Sequence, residues 1–145
     1  MGCITLKEVV VKTLILVSED AEVPDLVPRI QEFCFFGGLV LSHKSAKVAD
    51  KIAAKLEYRV LKVLEQPIPI SNHIERSYLD RVFANVQLHE KEAEGTIVLV
   101  LPDRVIRRVS IYWWSIIIDE MIDFPPIRED EAIAIKVRTR EFFSV

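Results

Sequence analysis

The chain has 145 residues, 50% of them hydrophobic and 28% charged, with a formal net charge of −3. That length suits a single domain, 1–145, with a core large enough to need no staples. The acidic balance argues against a nucleic-acid partner, whose phosphates call for a basic surface, and two cysteines, Cys3 and Cys34, exclude a disulfide framework.

At the start, Met1-Gly2-Cys3 invites a lipidation reading, but Leu6 stands where the myristoylation pattern needs Ser or Thr. Lys7, Glu8 and Lys12 interrupt the apolar run that a secretory signal would need. No apolar stretch is long enough to span a bilayer, so the expected location is the cytoplasm, with no membrane partner. Amides are scarce (Gln31, Gln66, Asn72, Asn85, Gln87) beside abundant Ile, Val, Glu, Lys and Arg, a bias expected of a thermophile.

Residues 9–17 are rich in β-branched side chains and nearly continuous in apolar character, as in a strand buried on both faces. Residues 24–36 carry Leu26, Val27, Ile30, Phe33 and Cys34 at helical spacing, and Gly37-Gly38 is a helix stop. Cys34 reads as a small, reduced core residue. Residues 39–41 form a second short strand, after which Ser42 or Ser45 is placed to cap a helix with Val48, Ile52 and Leu56 on one face. A third strand over 58–64 leads through Pro67 and Pro69 to a helix over about 74–92.

A fourth strand is expected at 96–101, a helix over about 104–121, and a last strand at 132–137. In that last strand Ile133, Ile135 and Val137 alternate with Ala134 and Lys136, the pattern of an antiparallel or edge strand. Strands alternating with helices imply an α/β three-layer sandwich on a mainly parallel sheet of about five strands, the last antiparallel.

In such a sheet, ligands bind outside the carboxyl ends of the strands at a switch point. Three segments qualify: Ser18-Glu19-Asp20, Ser42-His43-Lys44-Ser45 and Pro102-Asp103-Arg104. The second opens a helix, where free amides and the dipole favour an anion. Lys44 and Arg104 are candidates to clamp a small anionic ligand, with Ser42 donating a hydrogen bond. Ser18, Glu19 and Asp103 are strand-end pocket candidates, and the acids would oppose the anion or pair with the bases. Glu19, Asp20 and Asp103 could instead present oxygen ligands to Mg²⁺, although no paired Asp-x-Asp follows a strand. His43, His73 and His89 show no metal-ligand spacing, so no cofactor is expected.

Taken together, "TLILVSED", "LVLSHKSAKVADKIAAKL", "GTIVLVLPDRVIRRV" and "FPPIREDEAIAIKV" resemble, in order and spacing, the histidine phosphatase (phosphoglycerate-mutase-like) superfamily. That family places Arg-His-Gly after its first strand, Ser-Pro-Leu-x-Arg-Ala after its second, and a second His-Gly after a late strand. Here Val105-Ile106-Arg107 matches the family's wording. The nucleophilic histidine, however, would fall near Ser18 or Glu19, and the second histidine at Pro102. The resemblance thus implies a member without the imidazole nucleophile that its covalent route requires, and no catalytic residue carries over. The alternative is a phosphoryl-transfer or hydrolytic enzyme working through His43, Lys44 and Arg104, or through a metal on Glu19 and Asp103.

The stretch Ile111-Tyr112-Trp113-Trp114-Ser115-Ile116-Ile117-Ile118 is apolar almost all round. Adjacent tryptophans on a helix point about 100° apart, so Trp113, Trp114 and Ile117 are candidates for a homodimer interface.

Overall fold

The computed structural model describes residues 13–34, 37–65, 76–102, 105–106, 132–136 and 141–144. In chain order the elements are β1 (Thr13–Ser18), α1 (Val23–Ile30), β2 (Gly38–His43), α2 (Lys47–Leu56), β3 (Arg59–Leu64), α3 (Arg76–Ala93), β4 (Thr96–Leu101), β5 (Ala132–Lys136) and β6 (Glu141–Ser144). They build one six-stranded sheet in the order β3-β2-β4-β1-β5-β6. The ladders β1–β4, β2–β4 and β2–β3 are parallel; β5 runs antiparallel to both β1 and β6.

The expected α/β architecture is therefore present, with a mainly parallel sheet. A short sixth strand, β6, extends it beyond the five read from the pattern. That addition moves β5 into the interior, between β1 and β6. Its alternation does not separate a wet face from a dry one. Ile133 and Ile135 enter one apolar layer and Ala132 and Ala134 the other, all buried.

The same two-residue period sorts every central strand, because successive side chains leave a strand on opposite faces. Leu14, Leu16, Leu39, Leu41, Ile97, Leu99 and Leu101 pack with Tyr78, Leu79, Val82, Phe83 and Val86 of α3. On the opposite face, Ile15, Val17, Val40, Val98 and Val100 pack with α1 and α2 through Leu26, Ile30, Ala49 and Ile52. Leucines fill the side under α3, whereas shorter β-branched residues and alanines fill the side under two closely packed helices.

The helices differ from the sequence reading at their ends. The helix expected over 24–36 stops as α-helix at Ile30 and tightens into a 3-10 turn over Gln31–Phe33. Pro28, inside α1, has no N–H to give and removes one rung near that end. At α2 the N-cap is Ala46, with no side-chain cap, so neither Ser42 nor Ser45 fills the expected role. Both α2 and α3 give way to a glutamate in the left-handed region, Glu57 at φ 59° and Glu94 at φ 57°.

Candidate functional site

The strand order creates the site. From β1 the chain leaves through α1 to β2, on one side of β4; from β4 it continues to β5, on the other side of β1. Neighbouring strands whose connections depart in opposite directions leave a crevice at their carboxyl ends. In register, Ser18 lies opposite Leu101, and Ser42 opposite Val100. The ends of β1, β4 and β2 are thereby level, and Ser18-Glu19 and His43 flank the end of β4.

Across that gap His43 and Glu19 meet. The His43 Nε2 contacts the Glu19 carboxylate through Oε2. His43 is 5% exposed, while the Glu19 side chain keeps 28% of its surface. The Glu19 amide donates to the Leu101 carbonyl at 2.9 Å, which continues the β1–β4 ladder one residue beyond the strand and fixes where the carboxylate starts. The other ring nitrogen of His43, Nδ1, accepts the Ser45 amide N–H at 3.3 Å. An acceptor nitrogen carries no proton, so the ring's N–H is on Nε2 and points at Glu19.

The remaining candidates are drawn into the loops that hold this pair. Ser18 is buried, and its Oγ accepts the Asp20 amide at 3.0 Å. Ser42 is buried too, and its hydroxyl donates to the His43 carbonyl at 3.1 Å. Lys44 and Ser45 lie exposed on the turn into α2. Asp103 and Arg104 lie outside the described residues, as do Trp113, Trp114, Ile117 and His73.

Lys62 was not legible as part of this region. Between Leu41 and His43 the β2–β3 register slips, so that Leu41 pairs with Leu61 but His43 pairs with Leu64. The extra residue on β3 is a bulge, a device that re-aims a side chain at the rim of a sheet. Lys62 Nζ donates to the Ala46 carbonyl at 2.8 Å and to Asp50 Oδ2 at 3.0 Å, pinning the far end of the same turn. The one sequence signal is a lysine inside an otherwise apolar Leu-Lys-Val-Leu strand.

No family model, curated protein or solved structure matches this chain. What the site can do therefore rests on its own geometry. Among the described residues, no group of three or more His, Cys, Asp and Glu side chains could hold a metal ion, and no helix is long and apolar enough to cross a membrane. A hollow of about 610 Å³ opens between the start of α1 and α2, where Glu22 and Asp25 offset Lys51 and Lys55 and leave no preferred charge for a ligand.

Proposed function

We propose that the chain is a non-catalytic, phosphoglycerate-mutase-like domain that binds instead of turning over, with a small anionic ligand as the class it takes. One observation carries this reading: both ring nitrogens of the buried His43 are engaged, one with Glu19 and the other with the Ser45 amide. A general base or nucleophile needs a nitrogen aimed at substrate. An imidazole whose two nitrogens are held by its own chain has none to offer.

Support also comes from the placement of the three segments in which the resemblance puts its motifs. They follow the neighbouring strands β1, β4 and β2, whose carboxyl ends are level. At those ends stand Glu19, Pro102 and His43. Proline carries no proton, and the carboxylate lies on the imidazole. Among the described residues, exposed Lys44 on the turn into α2 is a cation placed to attract an anion.

The test is hydrolysis of p-nitrophenyl phosphate, with Mg²⁺ and with chelator, in the wild type and in His43→Ala. The expected result is no turnover under any condition. Turnover that disappears in His43→Ala or on chelation overturns the reading in favour of an enzyme that uses the same crevice differently.

A further inference from the structure

We propose that His43 is a proton-operated latch on the turn that leads into α2, and that a second proton on its ring releases the Ser45 amide at the mouth of the crevice. This goes beyond the ligand reading above and does not depend on it.

Four contacts among the described residues hold the turn. The Ala46 amide donates to the His43 carbonyl at 3.3 Å. The Ser42 hydroxyl donates to that carbonyl at 3.1 Å. Lys62 holds the Ala46 carbonyl. The Ser45 amide donates to His43 Nδ1 at 3.3 Å. The first three do not involve an imidazole nitrogen. The fourth requires a lone pair on Nδ1.

Protonation replaces that lone pair with an N–H. Donor then faces donor, and the Ser45 amide loses its acceptor. The ring is poorly placed to turn away, because it is buried and because its other nitrogen points at Glu19, whose hold strengthens once the ring is charged. The part free to move is the exposed turn at Lys44 and Ser45. Imidazole is the side chain suited to such a change near neutrality.

Of the charged and titratable groups near the ring, Glu19 contacts it from the turn after β1, which also carries Asp20, and Lys44 belongs to the latch's own turn. Lys62 on β3 is already committed to Asp50 of α2 and to Ala46. β4 ends in Leu101, which carries no charge, and α3 contributes Tyr78 to the layer beneath the β2 and β4 ends.

The experiment is an NMR titration of the full ¹⁵N-labelled chain from about pH 8 to about pH 4, a span that brackets ordinary imidazole titration, following the His43 ring and the Ser45 amide together. At the upper end the ring should show the Nε2–H tautomer. As the ring takes its second proton, the Ser45 amide signal should shift with the same midpoint. In His43→Gln, the Ser45 signal should no longer follow pH. An Nδ1–H tautomer at the upper end overturns the latch. So does a Ser45 signal that stays in place while the ring titrates, or a ring that remains unprotonated until the chain unfolds. If His43→Gln fails to fold, the wild-type titration decides alone.

Discussion

A methyl group on Gly38 would lie 2.4 Å from two ring carbons of Tyr58. The two residues stand side by side where β2 and β3 begin, one step before the Leu39–Arg59 pair. Tyr58 is buried, and its ring covers the glycine as part of the layer under α1 and α2. Gly38→Ala is therefore expected to cost about 1–3 kcal/mol by overpacking, read as a lower midpoint in urea. Combining it with Tyr58→Leu should cost less than the two single changes added together, because the second change clears the space the first one needs.

Glu57 ends α2 in the left-handed region, with its amide and that of Tyr58 both directed to the Ala53 carbonyl. That backbone conformation is strained for a residue with a Cβ and natural for glycine. Glu57→Gly should stabilise the chain by about 0.5–1 kcal/mol, the left-handed penalty less the extra entropy glycine gives the unfolded state. A melting temperature that fails to rise would mean that the α2 stop is relaxed as it stands.

Lys62→Met keeps the aliphatic stem but removes the ammonium from the Ala46 carbonyl and Asp50. The expected loss is about 1 kcal/mol, the worth of one charge-assisted hydrogen bond in a partly exposed place. Asp50→Asn should lose no more than about 0.5 kcal/mol, because that carboxylate is mostly exposed. Urea denaturation of the two variants, side by side, separates the turn contact from the surface ion pair.

Burial pushes the Cys34 thiol above its ordinary value of 9.0, against a smaller opposing effect of a hydrogen bond with Tyr58. Its Sγ also donates to the Ile30 carbonyl at 3.3 Å. Alkylation of native protein at neutral pH should thus be slower than that of the unfolded chain, which forms thiolate more readily. For stability, the folded state holds the thiol proton longer than the unfolded one. Nothing is lost below 9.0. Above it the unfolded thiol ionises first, and stability falls as pH rises. Melting curves on either side of that value should show the decline in the wild type and a smaller one in Cys34→Ala.

The strands were legible wherever burial wrote itself into composition. Residues 96–101 are bounded by Gly95 and Pro102 and apolar from Ile97 on, and β4 has those limits. The three strand-end segments could be picked out for the same reason. Their partners could not, because parallel ladders join residues far apart and leave no local periodicity. Glu19 and His43 are 24 positions apart, and their meeting depends on β4 lying between β1 and β2. Ser45 is not legible as a ring partner because it acts through its amide, which every residue but proline possesses. Lys62 depends on a one-residue slip in pairing. β6 has four residues, too few for any period to register.

The placement of β4 also sets a timetable. In a chain being synthesised from its N-terminus, β2 and β3 can pair as soon as both have emerged, but β1 cannot. Its two neighbours in the finished sheet are β4 and β5. Until Thr96–Leu101 is made, a run of six residues that ends up wholly buried has neither flank satisfied. The nascent protein therefore carries an adhesive strand from the making of β1 until that of β4. Any fragment ending before Thr96 would keep that strand unpaired for good, a natural substrate for a chaperone or for aggregation.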